Sequence, residues 1–212
     1  MNPWVVKLGG SLARSAELPL WLDVIATGGA GKVVLVPGGG PWADEVREAQ
    51  NREGFDDRIA HRKALRAMEQ YGRMLCTARS GLVEAGNTQV IHKVLKDGKA
   101  AVWMPYEMVV ADASIPQTWD VTSDSLAAWL ARELGAALLV LVKSVAVADP
   151  KTTCVEMMKR GWVDACFVVF CSTGEFQYRM LGQGDHRHLA RLLAAHTPDT
   201  PLDEAAGRSK AG

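Results

Sequence analysis

The sequence predicts an α/β fold, a three-layer α/β/α sandwich on a mainly parallel central sheet. Three observations carry that expectation. Short apolar runs alternate with helical stretches along the chain. One run, Leu138-Leu139-Val140-Leu141-Val142, is apolar at every position, as a strand covered on both faces must be. Two runs end in glycine-rich turns that lead towards helices. A chain of 212 residues, 48% hydrophobic, supports one core. At that size roughly 70% of the unfolded surface is buried on folding, so a single domain over residues 1–196 is expected.

Taken in order, the first run is Trp4 to Leu8, followed by a helical stretch from Leu18 to Ala26 and a second run from Val33 to Val36. A long helix is expected from about Asp56 to Glu84. There Leu65, Met68, Tyr71 and Leu75 recur at helical spacing, with Arg58, Arg62, Arg66 and Arg73 around the rest as a solvated face. Ala100 to Met104 is the next run. In Ser123 to Leu134 the spacing of Leu126, Trp129, Leu130 and Leu134 predicts a helix with one face on the sheet. Thr122 and Ser123 offer its N-cap and Gly135 its stop. The runs Ala137 to Val142 and Ala165 to Phe170 follow, then a helix from His186 to His196. Residues 197–212, rich in Pro, Ala, Gly and charge and without period, are expected to form a disordered tail.

The 24 Lys+Arg are balanced by 24 Asp+Glu, which removes the global positive field that unspecific nucleic-acid or anionic-membrane binding rests on. No apolar run approaches the ~20 residues of a bilayer span, and Met1-Asn2-Pro3-Trp4 lacks the layout of a signal peptide. A cytoplasmic protein, with neither nucleic acid nor membrane as partner, is expected. Cys76, Cys154, Cys166 and Cys171 include no C-x-x-C pair and are expected to be reduced, buried thiols. His186 and His188 stand two apart on a helix, where side chains point to different faces, so they read as a solvated helix start rather than a metal pair.

In open α/β sheets ligands lie beyond the carboxyl ends of the strands. After the first run comes Lys7-Leu8-Gly9-Gly10-Ser11, and after the second Pro37-Gly38-Gly39-Gly40-Pro41. Glycines there let backbone N–H groups approach an anion, and a following helix adds favourable potential, so two phosphate positions are expected. Gly28-Gly29-Ala30-Gly31-Lys32-Val33 is not a P-loop: Ala26 stands where the first glycine belongs, Val33 replaces Ser/Thr, and a strand follows instead of a helix. Gly38-x-Gly40-x-x-Ala43 satisfies the loose dinucleotide fingerprint, but its acidic partner at the next strand end is missing. Lys7 and Lys143 each fall at the end of an apolar run and should project into the cleft. Burying ammonium groups there costs several kcal/mol unless a counter-charge is supplied, and a phosphate supplies one. Asp124, in the first turn of its helix, can orient such lysines, although a carboxylate there also suits the helix dipole.

Together, Val5-Val6-Lys7-Leu8-Gly9-Gly10-Ser11, Val34-Leu35-Val36-Pro37-Gly38-Gly39-Gly40-Pro41, and Thr122-Ser123-Asp124 with the strand Leu138 to Val142 resemble the amino-acid kinase superfamily. The resemblance spans about the first 150 residues. Within it, Gly54-Phe55-Asp56-Asp57-Arg58-Ile59-Ala60-His61 to Gly72, and Lys143-Ser144-Val145, are most similar to the short kinases of methanofuran biosynthesis. What the resemblance implies is ATP-dependent phosphoryl transfer to an anionic oxygen. In that branch the acceptor is (5-(aminomethyl)furan-3-yl)methyl phosphate, which becomes the diphosphate. By the same resemblance Lys7 would neutralise the transferring group and Asp124 would orient Lys7. Gly9, Gly10 and Ser11 would hold the ATP phosphates, with Lys143, Ser144 and Asp149 on the nucleotide side. Gly38, Gly39 and Gly40 would hold the acceptor. Mg²⁺ would bridge nucleotide phosphates through substrate and water ligands. An acceptor with its own phosphate needs further positive charge, for which Arg47, Arg58 and His61 follow the acceptor loop. A homo-oligomer formed through helix faces is also implied.

The sequence departs from the superfamily pattern in two places. The second catalytic lysine that larger members carry after a late Gly-Met segment is missing, a charge role Lys143 can take. Ala146-Val147 stand where many relatives have Asp-Gly, with Asp149-Pro150-Lys151 further on. Two rival readings follow: a non-catalytic nucleotide or oxoanion binder of the same fold, and a uridylate-type kinase.

Overall fold

The computed structural model describes residues 2–144 and 152–195. Its elements are β1 (Trp4–Leu8), a 3-10 turn (Gly10–Arg14), α1 (Leu18–Thr27), β2 (Val33–Pro37), α2 (Gly40–Glu53), α3 (Asp57–Ala78), β3 (Leu82–Ala85) and α4 (Thr88–Lys96). Then come β4 (Ala100–Trp103), α5 (Tyr106–Ala111), α6 (Ser123–Glu133), β5 (Leu138–Lys143), α7 (Cys154–Lys159), α8 (Phe167–Ser172), β6 (Gln177–Gly182) and α9 (His186–Ala195). The described strands form one sheet in the order β3-β4-β2-β1-β5-β6, every pair parallel. The chain winds out from β1 to one edge and returns to β5 on β1's other side. The topological switch point therefore lies at the carboxyl ends of β1 and β5.

Strand alternation divides the core into two layers. Trp4, Val6 and Leu8 face one cluster with Trp21 and Ile25 of α1, Tyr71 and Leu75 of α3, and Leu189 and Leu193 of α9. Val5 faces the other, with Leu126 and Leu130 of α6 and Phe167 and Phe170 of α8. Lys7 is two residues past Val5 and so emerges on the α6 side. β1 is in register with β5 as Lys7↔Leu141, so Lys143, two residues beyond Leu141, points to the same side. No described helix is long and apolar enough to cross a membrane.

Three elements differ from expectation. The helix expected to run to Glu84 stops at Ala78. Gly81 takes φ +92°, and Leu82–Ala85 pairs with β4 as an edge strand. Leu82 falls seven residues after Leu75, which carries the helical period past the true end. The run Ala165 to Phe170 is no strand but contains most of α8: Phe167 and Phe170, three apart, face the core while Val169 is 58% exposed. The sixth strand is Gln177–Gly182, whose polar start suits an edge position. The expected tail, with Ala146, Val147 and Asp149, lies outside the described residues. The four thiols are free but half-buried rather than buried. His186 is not simply solvated, since its Nδ1 lies 3.2 Å from Glu17 Oε2.

The two glycine loops meet main chain on main chain. A Cβ on Gly10 would fall 2.3 Å from the Gly40 nitrogen, and one on Gly38 would fall 2.5 Å from the Gly10 nitrogen. Gly38 N–H also donates to Leu8 O at 2.9 Å. Gly10→Ala is therefore expected to destabilise the fold by about 1–3 kcal/mol through forced separation of the loops. Gly86→Ala, which meets open space, should stay within about 0.5 kcal/mol of the parent. Urea unfolding of both variants measures the difference. Equal stabilities would show that the loops are not seated on each other.

Candidate functional site

Beyond the ends of β1 and β5, Lys7 Nζ lies 2.8 Å from Asp124 Oδ1, and Lys143 Nζ lies 2.5 Å from Asp124 Oδ2. Lys7 and Asp124 are each only 4% exposed, while the Lys143 side chain keeps 18%. Among the described residues the cluster holds two ammonium groups and one carboxylate, an excess of one positive charge in a place nearly closed to water. Burial pushes the Asp124 carboxyl up, but Lys7 and Lys143 together outweigh it and hold the group below its ordinary value. For Lys143 burial is the largest influence, and with repulsion from Lys7 it outweighs the attraction of Asp124. Its ammonium therefore titrates below the usual lysine range.

Each residue is placed by its element. Lys7 and Lys143 sit near or at strand ends with the same facing. Asp124 is the second residue of α6, which packs on β1. The N-terminus of α6 is not capped by Thr122's own side chain. Asp164, between α7 and α8, accepts from the backbone N–H groups of Thr122 (3.0 Å) and Ser125 (3.2 Å) and from the Thr122 hydroxyl (2.6 Å). It also accepts from the Ser125 hydroxyl and, at 3.1 Å, from Phe167 N–H.

Gly9 extends the β1 to β5 ladder by donating to Val142 O at 3.1 Å. Ser11, Gly10, Gly39 and Gly40 line a cleft of about 650 Å³ whose wall includes Arg14, a cation that sequence reading passed over, and the carboxylates of Asp44, Glu45 and Glu48. A smaller cavity of about 100 Å³ opens beside Gly39, where Arg47 and His61 meet the apolar side chains of Leu65, Met68, Val121 and Leu126. Arg47 is steadied by its guanidinium lying 4.1 Å from the Trp119 ring centre. His61 is 3% exposed and neither ring nitrogen has a partner among the described residues. Burial lowers its pKa and so favours the neutral imidazole. Gly38 lies behind Gly39 against Gly10, and Ser144 is exposed just past β5. Arg58 is exposed on the first turn of α3 and lines neither the cleft nor the small cavity. Asp149 falls outside the described residues. A further concavity of about 720 Å³ between α2 and α3 contains none of the expected site residues. It mixes Arg52, Arg62 and Lys63 with Glu45 and Glu48.

A cluster with one more ammonium than carboxylate beside two glycine loops can attract an anion. Asp124→Asn would leave two buried ammonium groups without their counter-charge and should destabilise the fold by about 3–5 kcal/mol. The parent's pH dependence follows from the same carboxylate. Its pKa is depressed in the fold, so its contribution is present above the ordinary carboxylate range and is lost as pH falls through the lowered value. Thermal unfolding of parent and variant between pH 3 and 8 checks both. An Asp124→Asn curve parallel to the parent's at acid pH would contradict this linkage.

Comparison with known proteins bears on family likeness and fold. Residues 61–156 match the amino acid kinase family. A curated relative, the [5-(aminomethyl)furan-3-yl]methyl phosphate kinase of Methanocaldococcus jannaschii, is 27% identical over 144 residues. That alignment covers 66% of this chain and 65% of the relative, a little under two thirds of the relative's length. Uridylate kinase from Archaeoglobus fulgidus superposes with a TM-score of 0.69 at 18% identity, covering 93% of this chain and 97% of that one. Isopentenyl phosphate kinase superposes with a TM-score of 0.59 at 15% identity, covering 92% and 98%. At such identities the superpositions speak for the fold alone. Profile, relative and fold converge on one likeness: residues 61–156 match the amino acid kinase family, and the described fold is that of its solved neighbours.

Proposed function

We propose that the chain transfers the γ-phosphoryl group of ATP to the phosphate of a small phosphomonoester, with (5-(aminomethyl)furan-3-yl)methyl phosphate as the acceptor and a diphosphate as the product. The observation that carries this reading is the excess positive charge of Lys7 and Lys143 around Asp124, at the switch point and next to two interlocked glycine loops. An acceptor phosphate oxygen bonds to the γ-phosphorus, the bond from that phosphorus to the bridging oxygen breaks, and ADP leaves. The acceptor is already ionised at neutral pH, so the reaction asks for positioning and charge neutralisation rather than a base. In this reading Lys7 and Lys143 face the transferring group. Backbone donors of Gly9 and Gly10 with Ser11 and Ser144 receive the nucleotide, a role the family resemblance also gives to Asp149. Gly38, Gly39 and Gly40 with Arg47 and His61 receive the acceptor. Mg²⁺ would arrive on the nucleotide phosphates and shield their charge. A symmetric oligomer and a cytoplasmic setting belong to the same proposal.

The small cavity bears on the acceptor. About 100 Å³ is well below the roughly 300–1,000 Å³ of a pocket for a drug-sized ligand, which disfavours a nucleoside monophosphate. Its apolar side chains, with no carboxylate among its lining residues, favour a second reading in which the acceptor is a phosphomonoester whose organic part is uncharged and apolar, such as isopentenyl phosphate.

A panel assay with ATP and Mg²⁺ against the furan phosphate, isopentenyl phosphate and UMP distinguishes these. Turnover of the furan phosphate is expected, and nucleotide binding with no acceptor turned over would replace the kinase by a binder. Lys7→Ala should lower kcat by at least about a hundredfold, the scale of a lost charge-stabilising donor. His61→Asn should raise KM for the acceptor about tenfold, equal to ~1.4 kcal/mol, and leave KM for ATP unchanged. Steady-state kinetics varying each substrate in turn reads both.

A further inference from the structure

We infer that Asp164 is a positioning residue for the Lys7–Asp124–Lys143 cluster, holding the turn that presents Asp124 rather than touching a substrate. The inference rests on the kinase reading for its effect on turnover but on geometry for its cause. Thr122, Ser123, Asp124 and Ser125 form the N-cap and first turn of α6. Asp164 grips this turn on both sides of Asp124, through the backbone N–H and hydroxyl of Thr122 and the backbone N–H and hydroxyl of Ser125. Phe167 N–H adds a fifth donor and ties the same carboxylate to the start of α8. A second strap, Cys166 N–H to Asp120 O at 3.2 Å, joins the same two segments.

A helix start is ordinarily satisfied by its own N-cap side chain, whose oxygen accepts from the third residue. Here that role is taken by a carboxylate about forty residues downstream, and the Thr122 hydroxyl is turned into a donor to it. Charge-assisted hydrogen bonds of this kind fix orientation more firmly than neutral ones. Asp124 has two ammonium groups within 2.8 Å, so a small rotation of this turn would break one contact or the other. Asp164 also acts through space: its negative charge raises the Lys143 pKa, against burial and Lys7, together with Asp124. Lys143 thus feels Lys7 from β1, Asp124 from α6 and Asp164 from the α7 to α8 connection.

The test compares Asp164→Asn and Asp164→Ala with Asn87→Ala. The last removes an ordinary N-cap, Asn87 Oδ1 to Val90 N–H, on α4 and serves as a control for lost stability alone. Asp164→Asn keeps an acceptor but loses the charge. Expected for it are a kcat lower by tenfold or more, an ATP KM within threefold, and an alkaline limb of kcat displaced to lower pH, because Lys143 loses an anion that favours its protonated form. Asp164→Ala should fall further if it folds. A lowered Tm with kcat and pH profile unchanged, as expected for Asn87→Ala, would overturn the inference and leave Asp164 a structural cap. The Lys143 side-chain titration, followed by nitrogen NMR in parent and Asp164→Asn, separates this outcome from failure of the kinase reading. If the parent turns over no acceptor, the kinase reading falls. The titration then decides alone: a downward shift in the variant supports the role of Asp164, and an unshifted curve refutes it.

Discussion

Two ammonium groups and one carboxylate, nearly sealed from water, set the terms for the rest of this structure. Such a cluster survives only where its geometry is enforced from outside, because like charges repel and the carboxylate has just two oxygens to give. Enforcement comes from three directions. The register of β1 on β5 puts Lys7 and Lys143 on one side of the sheet. The packing of α6 on β1 brings Asp124 beneath them, and Asp164 holds the first turn of α6. The sheet order is part of the same device, since only at the switch point do neighbouring strand ends open towards a cleft.

The parts of this site differ in how far a sequence can show them. Lys7 and Lys143 stand out because a charged residue at the end of an otherwise apolar run has few places to go, and the glycine loops because they follow such runs. The contact between those loops is not visible in the same way: glycine freedom reads as room for an anion, whereas at Gly10 and Gly38 the missing Cβ makes room for the other loop. Arg47 and His61 do reach a common cavity, but Arg58, on the same stretch of sequence, stays in solvent. Spacing along a helix orders residues around its axis without saying which side the next helix covers. Asp164 leaves no local signal at all. Its five donors come from residues 122, 125 and 167, and only the folded chain brings the first two near it.

The misread elements have one cause. Periodicity is a statement about burial on one face, and it fails where an element is short or lies at an edge. β6 is partly open at its start and polar there, so it does not look like the central strands. α8 has only six residues, too few for a helical period to separate itself from a plain apolar run. The balanced overall charge of the chain likewise hides a local imbalance. The excess in the Lys7–Asp124–Lys143 cluster is offset by acidic residues that include Asp44, Glu45 and Glu48 of the adjoining cleft, so a neutral protein still holds one small cationic cluster.

The main-chain contact between the two glycine loops also bears on how such a domain can diversify. Backbone atoms at Gly10, Gly38 and Gly40 set the spacing between the loops, and backbone atoms are the same whatever side chains surround them. Leu65, Met68, Val121 and Leu126, which shape the small cavity, lie on other elements and take no part in that contact. Pocket walls can therefore be exchanged by mutation while the ruler between the loops keeps its length. Inheritance of chemistry is thereby separated from inheritance of ligand preference.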